Sequence, residues 1–331
     1  MKLMKIAMVG AGGWGTALAR LLVNNGHTVT MWSWQADHVA EMQAEAENRQ
    51  FLPGVPLPAA LRLTNDLSEI RGCEMVVFAV PSAASADVAR KALPFVESGS
   101  VIVNVAKGFV PQTRQRISEV LCALYPGHAV LALSGPSHAE EVARDRPTAV
   151  CVAGNNADAC KLAQDVFISP CFRVYTNDDI IGVEIGGAVK NIIAMGSGMV
   201  DGLELGDNAK AALMTRGLAE MKRLGCAMGA NAATFAGLTG VGDLIVTCTS
   251  LHSRNYRAGR EIGRGKLWRQ VVAETNMVVE GVYATEHAYA LAQRYQVEMP
   301  ITEQMYRIFY QDRSPRDAIL TLMTRERTEE D

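Results

Sequence analysis

No Cys-x-x-Cys pair occurs in the 331-residue sequence, although seven cysteines are present: Cys73, Cys122, Cys151, Cys160, Cys171, Cys226 and Cys248. An odd, scattered set without paired spacing argues against a disulfide framework or a zinc site and predicts free thiols in a reducing cytoplasm, with no bound metal. The chain also lacks an excess of charge of either sign. Thirty-two Lys and Arg against 35 Asp and Glu leave a formal net charge of −3, so no global basic field recruits nucleic acid or an anionic membrane. Any recognition of phosphate must be local. No apolar run approaches the ~20 residues of a membrane span. The start at Met1-Lys-Leu-Met-Lys-Ile6 runs straight into a strand, which leaves no room for a signal peptide. Internal repeats and low-complexity segments are missing too, and the charged stretch from Arg325 to Asp331 reads as a solvated tail. What is present, 49% hydrophobic and 20% charged residues, is the composition of a globular protein with room for two domains.

The first organised feature is Lys5-Ile-Ala-Met-Val9, a buried strand by pattern, followed at once by Gly10-Ala-Gly-Gly-Trp-Gly15 and an apolar helix from Thr16 to Asn25. A Gly-x-Gly-x-x-Gly turn between a first strand and a first helix is a dinucleotide-binding signature. Gly10 permits the tight turn, Gly12 lets the backbone approach a pyrophosphate, and Gly15 lets helix and strand pack closely. The helix N-terminus then offers amides and partial positive charge to the phosphates. Thr28-Val-Thr-Met-Trp32 reads as the second strand. At its end an acid would bond a ribose 2′-hydroxyl and an arginine would accept a 2′-phosphate, but Ser33-Trp34-Gln35 is neither. Trp34 offers a face for stacking on adenine or is simply an exposed aromatic, and the choice between NAD and NADP stays open.

Further strands are expected at Glu74 to Val80, Ser100 to Val105, Ala129 to Leu133, Thr148 to Val152 and Phe172 to Tyr175, with helices between them. Such alternation predicts an α/β fold with an N-terminal Rossmann-like, parallel, doubly wound sheet. After Asn177 the pattern is helical and punctuated by glycine. That places a domain boundary at Asn177-Asp178, with a dinucleotide-binding domain over 1–177 and an all-helical domain over 178–331.

The helical half contains Gly182-Val-Glu-Ile-Gly-Gly-Ala-Val-Lys-Asn-Ile-Ile-Ala-Met-Gly-Ser-Gly-Met199. With a 3.6-residue period, Gly182, Gly186, Lys190, Ala194 and Gly198 share one ridge, which predicts a hollow around the only long side chain. Glycines cost a helix roughly 1 kcal/mol each relative to alanine. Close approach by another backbone or by a ligand would account for them; the plainer alternative is a packing face with a lysine snorkelling to water.

Four other short stretches end a strand or open a helix with polar residues. Lys107-Gly108 follows the strand ending at Val105, where open parallel sheets hold ligands. Ser134-Gly-Pro-Ser137 follows another strand, and Ser137 with Glu140 has the spacing of a capping box. In Gly240-Val-Gly-Asp-Leu-Ile-Val-Thr-Cys248, a helix starting at Gly242 would set Asp243 and Thr247 on one face, and an aspartate beside Lys190 would hold its ammonium charged. In Ser253-Arg-Asn-Tyr-Arg257, Ser253 reads as a helix cap and Arg254 and Asn255 fall in the first turn. A cation there opposes the helix dipole unless an anion offsets it, which predicts a phosphate site.

Taken in order, these stretches resemble the bacterial NAD(P)-dependent glycerol-3-phosphate dehydrogenase family across nearly the whole chain. Thr215-Arg-Gly-Leu-Ala-Glu220, Val278-Val-Glu-Gly281 and Glu298-Met-Pro-Ile-Thr-Glu303 extend the likeness. The resemblance implies reversible hydride transfer from NAD(P)H to C2 of dihydroxyacetone phosphate, giving sn-glycerol 3-phosphate for glycerophospholipid synthesis, by a homodimer. It implies that Lys190 is the general acid/base, with Asp243 and Thr247 beside it, and that Lys107 lies near nicotinamide and substrate. Gly135, Ser137, Asp243, Ser253, Arg254 and Asn255 would surround the substrate. Gly10, Gly12, Gly13, Trp14, Gly15, Trp34, Lys107, Ala139, Arg254, Val278 and Glu280 would touch the cofactor. Gly13 stands where many members carry serine, and Trp34 where several carry a basic residue or histidine. Two other readings compete. A β-hydroxyacid dehydrogenase is expected to carry asparagine one turn after its lysine, where this chain has Ala194. A dinucleotide-sensing module would have no use for a lysine beside Asp243.

Overall fold

The structure is a computed structural model describing residues 3–275, 278–327 and 329–330. Met1 and Lys2 of the expected start, and Thr328 and Asp331 of the expected tail, lie outside the described residues. The chain divides into two compact units, Met1–Ile180 and Ile181–Asp331, against an expected boundary at Asn177-Asp178.

The first unit carries one eight-stranded sheet, built from β1 (Lys5–Val9), β2 (Thr28–Trp32), β3 (Arg62–Thr64), β4 (Met75–Phe78), β5 (Val101–Asn104), β6 (Val130–Ser134), β7 (Thr148–Gly154) and β8 (Phe172–Asn177). Their order is β3-β2-β1-β4-β5-β6-β7-β8. Among its described residues are six α-helices: α1 (Gly13–Asn24), α2 (Ala36–Glu45), α3 (Ser82–Ala92), α4 (Ile117–Leu124), α5 (Ala139–Val142) and α6 (Ala157–Phe167). The central strands are apolar on both faces because both faces are covered. On β1, Ile6 and Met8 join a core that includes Leu18 and Leu22 of α1 and Ala163 and Phe167 of α6. Ala7 and Val9 alternate to the other face and join Ala89 of α3 and Leu121 of α4.

Two features depart from the sequence reading. β3 has only three residues, too few to show an alternation. The sheet is also not parallel throughout, since β6 and β7 run antiparallel, with Ser134 opposite Cys151. The link between them turns back at Gly135-Pro136 and contains only the single-turn α5, so it does not return the chain along the sheet as a full crossover would.

The described residues of the second unit form helices and no strand. They are α7 (Ile180–Gly202), α8 (Gly206–Ala227), α9 (Asp243–Thr249), α10 (Arg254–Gly263), α11 (Trp268–Ala273), α12 (Glu280–Tyr295), α13 (Pro300–Tyr310) and α14 (Pro315–Met323). Every residue of α7 from Gly182 to Val200 is buried. This corrects one expectation: α7 is long and apolar enough to cross a membrane by length and composition, and 94% of its qualifying window is buried inside the protein. It is the core helix of its unit.

Candidate active site

In the first unit the glycine turn is shaped by its neighbours. Gly10 has φ +125°, and a Cβ there would lie 2.6 Å from the Ala79 carbonyl oxygen. A Cβ on Gly15 would overlap the Gly10 carbonyl, which is the close packing expected of the third glycine. Around Gly12, the residue preceding α1, a Cβ would meet no protein atom within 4 Å, so backbone is open there to a ligand. Gly13 sits under the Phe51 carbonyl and beside Ala139, so two residues expected to touch the cofactor are neighbours. Two buried polar atoms, Trp14 Nε1 and Ser134 Oγ, have no partner among the described residues. Open backbone at a helix N-terminus, with the unsatisfied Trp14 donor in the same turn, suits a dinucleotide pyrophosphate. Trp34 is 75% exposed, an unusual state for an indole and one suited to stacking.

Beyond β5 and β6 the same unit gathers Lys107, Gly135 and Ser137. Lys107 Nζ and Ser137 Oγ each donate to the Gly135 carbonyl oxygen, both at 2.9 Å. Gly135 has φ +135°, and a Cβ there would lie 3.0 Å from Val150 Cα. The capping box expected at Ser137 does not form: α5 starts at Ala139, and its cap residue His138 makes no side-chain cap bond. The Gly135 conformation directs a carbonyl at the serine hydroxyl, which satisfies it there instead. One supporting residue had no sequence signal. Buried Asn104, at the end of β5, bonds the Ala106 carbonyl and amide, both at 3.1 Å, and so shapes the turn that carries Lys107.

In the second unit Lys190, Asp243 and Thr247 meet. All three are buried, at 5%, 1% and 4% exposure, which rules out a lysine reaching to water. Lys190 Nζ forms an ion pair with Asp243 Oδ1 and donates to Thr247 Oγ1 at 2.7 Å. The threonine hydroxyl gives its own proton to the Asp243 carbonyl, which leaves a lone pair facing the ammonium. Asp243 opens α9 directly after a π-helical turn, Leu238–Gly242. The glycines of α7 explain how that turn comes so close. A Cβ on Gly186 would overlap the Thr239 carbonyl, and one on Gly198 would overlap the Tyr256 carbonyl of α10. The expected hollow around Lys190 is therefore occupied by other backbone. Cys248, next along α9, is no nucleophile, because burial pushes its thiol up to about 12.

Ser253 caps α10, its Oγ accepting from Tyr256 N at 3.2 Å, and Arg254 and Asn255 occupy the first turn as expected. Asn255 ties three helices together: its Nδ2 donates to Asn191 Oδ1 on α7 at 2.9 Å, and its Oδ1 accepts from Gly281 N on α12 at 2.9 Å. Arg254 Nη1 donates to the Val278 carbonyl at 3.1 Å, which joins two residues predicted to touch cofactor. Glu280 is the first residue of α12. The unit thus holds a buried cation with its counter-ion and, at the start of α10, a guanidinium at a helix N-terminus.

Two family descriptions match the chain: the N-terminus of NAD-dependent glycerol-3-phosphate dehydrogenase over residues 5–160, and its C-terminus over 179–320. A protein of Pelotomaculum thermopropionicum named glycerol-3-phosphate dehydrogenase (NAD(P)+) is 53% identical, covering 98% of this chain and 95% of its own. One of Bacillus subtilis with the same name is 48% identical, covering 98% and 96%. Among solved structures, glycerol-3-phosphate dehydrogenase of Coxiella burnetii is similar with a TM-score of 0.94 and 41% identity, covering 98% of this chain and 99% of its own.

Proposed function

The chain belongs to the NAD-dependent glycerol-3-phosphate dehydrogenase family and is an NAD(P)-dependent oxidoreductase, and from that premise we propose how its own residues interconvert dihydroxyacetone phosphate and sn-glycerol 3-phosphate. The single observation that carries the reading is the buried Lys190-Asp243-Thr247 cluster. When bound, the nicotinamide supplies a hydride to the C2 carbonyl carbon. Lys190 supplies the proton: its ammonium stabilises negative charge developing on the C2 oxygen and transfers a proton to it. Asp243 keeps the ammonium charged and, with Thr247, fixes its position. Oxidation of glycerol 3-phosphate runs the same path backwards and requires the neutral amine, so that direction is favoured by alkaline pH. Arg254, at the N-terminus of α10, is the residue for the substrate phosphate, since an anion there relieves an otherwise unfavourable cation. In the first unit, Gly10 to Gly15 hold the pyrophosphate, while Lys107, Gly135 and Ser137 contact substrate.

We also place the protein in the cytoplasm, supported by seven cysteines that are all free, and as a homodimer, which light scattering would read as twice 35.7 kDa. The deciding experiment follows NADH and NADPH absorbance with dihydroxyacetone phosphate, glyceraldehyde 3-phosphate and a β-keto acid. Oxidation specific to dihydroxyacetone phosphate is expected. Turnover of the β-keto acid in its place would refute the substrate assignment.

A further inference from the structure

We propose that this chain binds NAD(H) in preference to NADP(H), and that Gln35, Asp37 and Glu41 are the residues that discriminate against a 2′-phosphate. The inference rests on the reading of the first unit as the cofactor-binding unit and goes on to specify which cofactor that unit accepts.

Position comes first. β2 ends at Trp32, whose carbonyl accepts from Gly10 N at 3.0 Å, so the end of this strand is tied to the first glycine of the pyrophosphate turn. In a sheet wound this way, the residues just past the second strand read the adenosine ribose at its 2′ position. Here those residues run into a cavity of about 360 Å³ lined by Gln35, Ala36, Asp37, His38, Glu41 and Gln50.

Charge comes next. The lining contains two carboxylates and no lysine or arginine. The ring nitrogens of His38 face protein groups and not the cavity's ligand space. Asn48 Nδ2 donates to the Ala11 carbonyl at 2.9 Å and to Thr16 Oγ1 at 2.8 Å, which makes Asn48 Oδ1 an acceptor. His38 Nε2, 3.1 Å from that oxygen, therefore donates to it, and Nδ1 shares a hydrogen bond with Ser33 Oγ at 3.2 Å. Both ring nitrogens are thus committed to protein oxygens and neither is left for a phosphate. The nearest guanidinium in sequence, Arg49, is held by Glu45 at 2.6 Å and Glu47 at 3.7 Å. Arg62 lies at the far, N-terminal end of β3 and pairs with Glu69 at 2.8 Å.

A 2′-phosphate would bring close to two negative charges beside Asp37 and Glu41 with no cation to offset them. Repulsion over several ångströms of largely aqueous medium weakens binding on the order of tenfold. A ribose 2′-hydroxyl meets no such penalty, because the Gln35 amide and a carboxylate can accept its proton and the amide can donate in return. The exposed face of Trp34 serves either cofactor equally and leaves the discrimination to its neighbours.

The test is direct binding of NADH and of NADPH by tryptophan fluorescence, alongside turnover of dihydroxyacetone phosphate with each. We expect NADH to bind about tenfold more tightly. In Asp37→Asn/Glu41→Gln, and separately in Gln35→Arg, the ratio should close through a gain in NADPH affinity. Equal or tighter NADPH binding by the wild type, or a ratio unmoved in both variants, would overturn the proposal. Selective binding of NADH without turnover would instead leave it standing and count against the enzymatic reading.

Discussion

At the scale of single residues, the second unit concentrates its chemistry on one amine. Lys190 meets Asp243 and Thr247, and each partner has a separate effect on it. Lys190→Ala removes the proton donor and the positive charge together. Turnover should fall by roughly three to four orders of magnitude while NADH affinity, read by fluorescence, stays near wild type. Near-normal turnover would remove Lys190 from the mechanism. Asp243→Asn keeps the shape but takes away the carboxylate paired with a buried ammonium, and breaking a buried ion pair costs about 3–5 kcal/mol. Stability and turnover should therefore both drop, whereas Thr247→Val removes one hydrogen bond to the ammonium, together with the one to the Asp243 carbonyl, and should lower turnover by only about tenfold. Equal effects from the two substitutions would mean that Asp243 acts as a spacer and not as a charge.

At the scale of elements, α7 succeeds as a catalytic helix because of residues that ordinarily weaken helices. Gly186 admits the Thr239 carbonyl and Gly198 admits the Tyr256 carbonyl, and through these contacts the π-helical turn delivers Asp243 and α10 packs alongside. Backbone cannot move aside as a flexible side chain can. Gly186→Ala should thus cost about 1–3 kcal/mol by overpacking and should lower turnover beyond that loss, because the displaced segment carries Asp243. Thermal unfolding with kinetics on the folded fraction separates the two effects, and unchanged kinetics would show that the contact is only packing.

The same helix shows where sequence is informative. Its glycine ridge and its lysine are legible from a 3.6-residue period, and so are Ser253 as a cap and Asp243 with Thr247 on one face, because these are local in the chain. What fills the ridge is not local. Nor is the antiparallel pairing of β6 with β7, or the use of Ser137 on the Gly135 carbonyl in place of a helix cap. Asn48 and Asn104 are absent from the sequence reading for a related reason. A buried asparagine bonded to turn backbone looks, in sequence, like any loop asparagine.

At the scale of the whole molecule, the two units respond to acid in opposite senses. In the first, buried His27 accepts from Met4 N at 3.2 Å through Nδ1 and donates through Nε2 to the Val166 carbonyl at 3.2 Å, an arrangement that needs the neutral ring. Burial holds its pKa below 6.5, so between that folded value and 6.5 the unfolded chain binds more protons than the native one. His27 therefore supports stability fully above pH 6.5, and the contribution is lost as pH falls towards the folded value. In the second unit, Glu220 is 1% exposed and accepts from Thr302 N at 3.1 Å and from Thr302 Oγ1 at 2.9 Å at the start of α13. Burial raises its pKa from 4.5 to about 7 against the lowering effect of those bonds. Here the native state binds the extra proton, so stability falls as pH rises from 4.5 to 7, by roughly 3 kcal/mol for a shift of about 2.5. Hydrogen exchange at pH 5.5 and 7.5 should accordingly show α13 and α8 better protected in acid, with β1 and α6 better protected near neutrality. Glu220→Gln, which cannot ionise, should flatten the first trend and leave the second intact. Uniform acid loosening of both units would mean that neither buried group governs its surroundings.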